Sequence, residues 1–272
     1  MLGSIIGDTV GSIYEFHNIK TTKFPLFSKR SIYTDDSIMT IAVAEGLLKA
    51  GLDAPLDEIR REVTASMQKW GRKYPNPMGD YGPRFWKWLN CDHPQPNRSW
   101  GNGSAMRVAA VGWLYPTLER TLEVAEATAD VSHNDPEGVK GAQATAAAIF
   151  LARTGHTIQA IQDYIESTFE YDLSRTCDEI RPYYEFDDSC QGTVPEALTV
   201  AFEGRDFEEV IRLAVSLGGD SDTLTCIAGG VAEALYPIPQ EILDETLKRL
   251  PADLRSVVDL FVSRKNARRS ER

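Results

Sequence analysis

Two short segments rich in aspartate stand where helices are predicted to begin. The first is Thr34-Asp35-Asp36, which precedes a strongly helical stretch, and the second is Asp220-Ser221-Asp222-Thr223, which follows a pair of glycines. Aspartate, serine and threonine are favoured caps at helix N-termini, so capping is one explanation for each segment. A cap needs only one oxygen acceptor, however, and the second segment offers four in a row.

If the two helix starts converge, their four carboxylates lie close together and repel one another. A bound hard cation removes that repulsion, and an all-oxygen ligand set favours magnesium, manganese or calcium over zinc or copper. Because four carboxylates exceed what one magnesium ion usually recruits, the pattern predicts two ions. The second segment is not an EF-hand loop, because Leu224, Thr225 and Val231 occupy the positions where that loop needs an oxygen ligand, glycine and glutamate.

A third segment places the glycine-rich loop Gly101-Asn102-Gly103-Ser104 directly before a predicted helix over residues 104 to 114. Backbone N–H groups at such a position bind phosphate oxygens. The loop is neither a Walker loop, which needs a lysine after the last glycine, nor a dinucleotide fingerprint, since Met106 replaces the third glycine. An ordinary capped turn is an equal alternative. The adjacent Trp100 could stack on a nucleobase or belong to the core.

Two single residues are further candidates. His133 follows the end of a predicted helix, where a histidine that interacts with the helix dipole is the simpler interpretation. Glu15 stands late in a first helix predicted over residues 3 to 16, between Tyr14 and Phe16. Apolar neighbours raise the pKa of a carboxyl group, so Glu15 could act as an acid or a base, although periodicity alone favours a surface position. No serine-nucleophile elbow and no His-Glu-x-x-His zinc motif is present.

Helical periodicity dominates the elements that must position these residues, and alternating strand patterns are almost absent. A stripe of Gly3, Gly7 and Gly11 on the first helix predicts that a neighbouring helix packs closely against it, and an alanine-rich stretch over residues 142 to 148 predicts a central helix. The length of 272 residues suits one large domain, and no repeat or linker divides it. We predict a single compact all-α domain of about a dozen helices over residues 1–264, followed by a solvated basic tail over residues 265–272.

Composition narrows the class of protein further. The net charge of -11 argues against broad nucleic-acid binding, and any anionic ligand needs local positive charge at its site. The cysteines at 91, 177, 190 and 226 form no CxxC motif or Cys-His zinc pattern, which is typical of reduced thiols. The N-terminus lacks the features of a signal peptide, and no apolar run is long enough to cross a membrane. We therefore expect a cytoplasmic protein.

The motifs in their order resemble the ADP-ribosylglycohydrolase family, which includes dinitrogenase reductase-activating glycohydrolase and the eukaryotic ADP-ribosyl-acceptor hydrolases. The resemblance extends from the first helix to about Tyr236. The matching motifs are Gly7-Asp8-x-x-Gly11-Ser-x-Tyr-Glu15, Thr34-Asp35-Asp36, Gly101-Asn102-Gly103-Ser104-Ala105-Met106-Arg107, Ser132-His133, and Gly218-Gly219-Asp220-Ser221-Asp222-Thr223.

The resemblance implies an orthogonal all-α domain whose cleft holds two magnesium or manganese ions. Thr34, Asp35 and Asp36 would bind the ions from one side. Asp220, Asp222 and Thr223 would bind them from the other side, and the ions would supply the positive charge that an anionic ligand needs. In ADP-ribose, the diphosphate would bind to the loop of Gly101, Asn102, Gly103 and Ser104, with help from Ser99. The adenine would stack on Trp100, and His133 would lie near the phosphates or the distal ribose.

The implied reaction is metal-dependent hydrolysis of the N- or O-glycosidic bond between ADP-ribose and an acceptor, with Glu15 and Asp36 as catalytic residues. Glu15 would act as acid or base on the leaving group or the water. The loop around Gly79-Asp80 and the acidic stretch over residues 171 to 188 match no motif, so arginine, serine, a nucleobase and O-acetyl-ADP-ribose all remain possible acceptors.

Two alternatives to this reaction stay open. A catalytically silent ADP-ribose-binding or toxin-neutralising protein would keep the fold without the chemistry. A two-metal phosphohydrolase would cut the diphosphate instead of the glycosidic bond. Whichever activity it has, we expect this protein to be a monomer that does not associate with membranes.

Overall fold

Fifteen helices make up the computed structural model, which describes residues 1–270. Within these residues the only β-type contacts are isolated bridges between Thr34 and Met78 and between Gly101 and Ser189, so the predicted all-α class is confirmed. The helices are α1 (Leu2–Gly11), α2 (Asp35–Ala50), α3 (Leu56–Lys73), α4 (Pro83–Leu89), α5 (Gly103–Met106), α6 (Ala109–Leu114), α7 (Leu118–Asp130), α8 (Pro136–Arg153), α9 (Ile158–Phe169), α10 (Cys177–Ile180), α11 (Cys190–Glu203), α12 (Phe207–Leu217), α13 (Ser221–Leu235), α14 (Gln240–Leu247) and α15 (Ala252–Ser270).

The glycine stripe on α1 packs directly against the backbone of α13. A Cβ atom placed on Gly7 would lie 2.0 Å from the Thr225 carbonyl oxygen, and one on Gly11 would lie 2.6 Å from the Ser221 carbonyl oxygen. No side chain larger than hydrogen fits at these distances. The stripe therefore acts in packing, and it holds the C-terminal end of α1 beside the start of α13, where the second acidic segment lies.

Gly7→Ala is expected to lower the free energy of unfolding by about 3 kcal/mol, because the added methyl group meets a backbone oxygen that cannot rotate away. The midpoint of thermal unfolding should fall by several degrees. Gly82→Ala is the matched control, since nothing lies within 4 Å of a Cβ atom at that position and its φ of -51° suits alanine. Equal midpoints for the two variants would contradict the close approach of α1 and α13.

The alanine-rich helix α8 is central, as predicted. Residues 144 to 152 of this helix are all buried, and α8 contacts α5, α6, α7, α9, α11 and α13. Its start is fixed by Asp135, whose side chain accepts a hydrogen bond from the Glu137 backbone N–H, and by Pro136 in the first turn. Small side chains on α8 let its neighbouring helices approach closely, so α8 forms a rigid support for them.

Three elements differ from the prediction. The first helix ends at Gly11 instead of residue 16, and the predicted helix over residues 104 to 114 is interrupted at Arg107 and Val108. The last helix continues to Ser270, so residues 265 to 270 of the predicted basic tail are helical. Lys265 donates a hydrogen bond of 2.8 Å to buried Glu233, which ties this helix to α13. Residues 271 and 272 lie outside the described part.

None of the described helices is both long enough and apolar enough to cross a membrane. All four cysteines are free thiols; Cys91 is exposed, and the other three are buried.

Candidate functional site

The starts of α2 and α13 converge, and carboxylates from both meet two more from the first part of the chain. Oxygen atoms of Asp8, Asp36 and Asp222 all lie within 4.8 Å of one another, and so do oxygen atoms of Glu15, Asp220 and Asp222. Asp222 belongs to both groups. Two adjacent carboxylate groups that share one residue have the form of a site for two cations.

Three carboxylate oxygens in this cluster are buried without a partner. They are Glu15 Oε2, Asp36 Oδ1 and Asp222 Oδ1, none of which forms a hydrogen bond within residues 1–270. Leaving a charged oxygen unsatisfied costs several kcal/mol, so such atoms normally bind a donor or a cation. Because all the atoms are hard oxygens from carboxylates and neighbouring hydroxyls, the set fits a hard cation such as magnesium, manganese or calcium.

Asp8 holds the start of α2 in place. Its carboxylate is fully buried and accepts hydrogen bonds from the Thr34 N–H at 2.9 Å, the Thr34 hydroxyl at 2.7 Å, the Ser37 N–H at 3.1 Å and the Ser37 hydroxyl. Asp8 belongs to the first motif that matches the family, but the sequence did not predict it as a site residue. The signal that could have found it is a carboxylate in an apolar helix without a basic residue one turn away.

The side chains of the first acidic segment divide between capping and the cluster. The Thr34 hydroxyl accepts a hydrogen bond of 3.2 Å from the Asp36 N–H, so the capping interpretation holds for Thr34. Asp36 has one oxygen 3.3 Å from the Thr223 hydroxyl, which donates to it, and one oxygen free. Asp35 is only partly buried, and its oxygens lie outside the two groups described above.

Capping does not explain the second segment. Asp220 occupies the N-cap position of α13, but its side chain makes no capping hydrogen bond. Instead its Oδ2 accepts a hydrogen bond of 2.7 Å from the Asn102 side chain. Asn102 thereby joins the glycine-rich loop to the carboxylate cluster, and it also donates to the Thr193 hydroxyl at 3.1 Å.

The glycine-rich loop uses some of its donors within the protein. The Gly101 N–H donates to the Ser99 hydroxyl at 3.2 Å, and the Asn102 N–H donates to a backbone carbonyl at 2.8 Å. The Ser104 hydroxyl donates at 2.6 Å to a carbonyl of α8, so it fastens the loop instead of facing a ligand. In the described chain, the backbone N–H groups of Gly103 and Ser104 have no acceptor and remain for a phosphate.

Two large side chains stand beside this loop. The Trp100 ring is 47% exposed, which contradicts the core interpretation, and the Arg84 guanidinium lies over it at 5.9 Å from the ring centre. His133 is buried, and its Nε2 would lie 3.2 Å from a Cβ atom on Gly103. Burial and the charge of Arg107 lower the pKa of His133, so its ring is neutral near pH 7.

Glu15 lies in a turn after α1 and not in the helix predicted for it. The Asn18 side chain donates hydrogen bonds to the carbonyls of Tyr14 at 2.7 Å and Glu15 at 3.0 Å, which stabilises the turn. Gly79 has a positive φ of 84°, and a Cβ atom there would lie 2.8 Å from Glu15 Oε2. The backbone at Gly79 therefore borders the carboxyl group closely.

Burial and mutual repulsion raise the pKa values of the clustered carboxyls. The pKa of Asp8 is raised to about 6 by burial, and that of Glu15 to about 7 by burial and by the charges of Asp220, Asp8 and Asp80. For Asp35, Asp36 and Asp222, burial and neighbouring carboxylates raise the pKa well above its usual range. A cluster with these properties takes up protons when no cation is bound.

In EDTA, the protein is expected to become less stable as the pH rises from 6 to 8. The folded-state pKa values of Asp8 and Glu15 exceed those of the unfolded chain, so the folded state binds more protons from about pH 4 to pH 7. The free energy of unfolding therefore falls as the pH rises through that window. The aspartates whose pKa values are raised further extend this fall to higher pH.

Thermal unfolding at pH 6 and pH 8, with EDTA or with magnesium, measures this dependence. Magnesium should abolish most of the fall, because it replaces protons as the partner of the carboxylates. The same pH dependence in both buffers would contradict a cation site at this cluster.

Comparison with known proteins assigns the chain to one family. The ADP-ribosylglycohydrolase family model matches residues 1–270. The chain is 26% identical to the human (Homo sapiens) ADP-ribosylhydrolase ARH3, with 88% of this chain and 85% of that protein covered. It is 23% identical to the ADP-ribosylarginine hydrolase Tri1 of Serratia proteamaculans, with coverage of 92% and 74%.

A solved structure shares the fold. It is described as an ADP-ribosylglycohydrolase-related protein complex, and it superposes with a TM-score of 0.72 over 97% of this chain and 96% of that chain, at 23% identity. The family match covers the described chain from its first residue to its last. This protein therefore belongs to the ADP-ribosylglycohydrolase family.

Proposed function

We propose that this protein hydrolyses the N- or O-glycosidic bond between ADP-ribose and an acceptor, with two magnesium or manganese ions as cofactors. The observation that carries the proposal is the pair of carboxylate groups that share Asp222 and contain three unpartnered oxygens. The names of the human and Serratia relatives, an ADP-ribosylhydrolase and an ADP-ribosylarginine hydrolase, support the same reaction.

The metal ligands would come from both helix starts. Asp36 and Asp222 each offer a free buried oxygen, and we assign Asp35, Asp220 and the hydroxyls of Thr34 and Thr223 to the same ions. Asp8 already accepts four hydrogen bonds, so we assign it to holding the start of α2. Ions held by these residues would supply Lewis-acid chemistry at the ribose end of the substrate.

The glycine-rich loop and its neighbours would orient ADP-ribose. The free N–H groups of Gly103 and Ser104 and the neutral His133 ring offer donors to the diphosphate. The exposed face of Trp100 offers a stacking surface for adenine. Asn102 connects the loop to Asp220, so the diphosphate and the ribose would be held at a fixed separation.

Glu15 is the candidate for proton transfer. When no cation is bound, burial and the charges of Asp220, Asp8 and Asp80 raise its pKa to about 7. A carboxyl group beside the reacting bond is a residue type that does acid or base work. Its unpartnered Oε2 is free to accept a hydrogen bond from the attacking water or, when protonated, to donate one to the leaving group. Gly79 keeps the space around this oxygen free of a side chain.

Release of ADP-ribose from a panel of substrates tests the proposal. The panel contains arginine-, serine- and nucleobase-linked ADP-ribose and O-acetyl-ADP-ribose, each with magnesium, with manganese and with EDTA. Release that depends on the metal identifies both the reaction and the acceptor. AMP as the product would indicate cleavage of the diphosphate, and tight binding without release would indicate a binding protein; either outcome contradicts the proposal.

A further inference from the structure

Arg107 is a fully buried cation that pairs with no carboxylate among the described residues, and its guanidinium carbon lies 5.6 Å from the centre of the Phe85 ring. Its Nη2 donates hydrogen bonds to the Thr128 carbonyl at 3.0 Å and to Ser132 Oγ at 2.8 Å, and its Nε and Nη1 have no partner. Burial lowers the pKa of Arg107 to about 10, so the guanidinium stays protonated at neutral pH. A buried charge is normally paired, so the contact to a serine hydroxyl is unusual.

The Ser132 hydroxyl connects Arg107 to the neighbouring His133. Ser132 Oγ lies 2.8 Å from His133 Nδ1. A guanidinium can only donate, so the hydroxyl accepts from Arg107 and its own proton needs another acceptor. In the part of the chain that the structure describes, His133 Nδ1 is the acceptor within hydrogen-bond distance. This requires Nδ1 to be unprotonated.

A neutral imidazole with an unprotonated Nδ1 carries its proton on Nε2. That nitrogen faces the glycine-rich loop, since Cβ atoms placed on Gly103 and Gly101 would lie 3.2 Å and 3.6 Å from it. The other tautomer would present a lone pair to the loop, and a lone pair repels a phosphate oxygen. The hydrogen bonds from Arg107 to the Ser132 hydroxyl and from that hydroxyl to His133 Nδ1 therefore decide whether His133 attracts or repels an anion.

We propose that Arg107 and Ser132 are positioning residues that fix His133 in the Nε2–H tautomer, so that this N–H donates to a phosphate oxygen held at the glycine-rich loop. The phosphate contact rests on the proposed function, whereas the tautomer is a property of the free protein. The two parts are therefore measured separately.

Long-range ¹H–¹⁵N correlation spectra of protein labelled at histidine nitrogens report the tautomer directly. The chain has four histidines, and His133→Gln identifies the signal of His133. The wild-type signal is expected to show a protonated Nε2 and an unprotonated Nδ1. Ser132→Ala should move both nitrogen shifts toward values for mixed tautomers, and Ser132→Thr, which keeps the hydroxyl, should restore them.

Thr128→Val is the matched control. The Thr128 hydroxyl is also buried one turn away, but it bonds only to the Ala125 carbonyl at 2.9 Å, and Arg107 contacts the Thr128 backbone. This variant should leave the His133 shifts unchanged. A wild-type His133 protonated at Nδ1, or shifts that Ser132→Ala leaves unchanged, would overturn the assignment without involving any ligand.

Titration with ADP-ribose in the presence of magnesium tests the phosphate contact. Ser132→Ala should weaken binding about tenfold through loss of one hydrogen bond to a charged oxygen, and Ser132→Thr should bind like wild type. Unchanged affinity in Ser132→Ala would refute the phosphate contact even if the tautomer is as expected. Failure of the wild-type protein to bind ADP-ribose would instead refute the proposed function, and the spectra would still decide the tautomer.

Discussion

Asp222→Asn is expected to lower the turnover of an ADP-ribosylated substrate by about 10³-fold. Asp222 is the one residue common to both carboxylate groups among residues 1–270, and its Oδ1 has no partner within the protein. Asparagine has nearly the same shape but removes the negative charge from both cation positions at once. A loss of about 4 kcal/mol of transition-state stabilisation corresponds to the expected change in rate.

Manganese binding measured by calorimetry accompanies the rate measurement, and the variant should bind the ion more weakly by at least about tenfold. Glu196→Gln is the matched control, since Glu196 is also buried, also has one unpartnered oxygen, and pairs with Arg175 outside the cluster. It should keep both turnover and manganese affinity. Turnover of Asp222→Asn within about threefold of wild type would exclude Asp222 from the site.

The same variant should be more stable than wild type in EDTA at pH 8, where more of the cluster is ionised than at pH 6. Burial and the charges of Asp220, Asp36 and Glu15 raise the pKa of Asp222, so its ionised form is disfavoured when no cation is bound. Removing that charge relieves the repulsion, which is the pattern expected where function and stability oppose each other. A higher unfolding midpoint with lost turnover would also rule out misfolding as the cause of the lost activity.

The sequence was sufficient to locate the carboxylates contributed by the two helix starts. Asp36 and Asp222 stand in segments with more oxygen atoms than capping requires, and that surplus is visible without a structure. The glycine stripe on α1 also predicted close packing, which the contact of Gly7 with α13 confirms. These features depend on residues that are near one another in the chain.

The features that sequence reasoning missed depend on partners far away in the chain. Asp8 bonds to residues 34 and 37, so its role follows from the packing of α1 against α2. Arg107 interrupts a predicted helix and bonds to residues 128 and 132, which no local pattern indicates. The turn that holds Glu15 is likewise fixed by Asn18, which also bonds to the backbone of Gly219.

Glu15→Gln is expected to lower turnover strongly. Measuring turnover and metal affinity together distinguishes acid or base work from metal binding. If Glu15 transfers a proton, turnover should fall by roughly 10²- to 10⁴-fold, while affinities for manganese and ADP-ribose stay within about threefold of wild type. An oxygen of Glu15 also lies within 4.8 Å of oxygens of Asp220 and Asp222, which would suit a metal ligand. In that case manganese affinity should fall together with turnover.

Asp80→Asn is the matched control for Glu15→Gln. The charge of Asp80 contributes to the raised pKa of Glu15, but its oxygens lie outside both carboxylate groups. Asparagine tolerates the positive φ of 62° at this position, so the backbone beside Glu15 should be preserved. Turnover of Asp80→Asn should therefore stay within about threefold of wild type. Loss of turnover in Glu15→Gln with unchanged binding of both ligands would then assign the proton transfer to the Glu15 carboxyl group, whereas near-normal turnover would remove it from the mechanism.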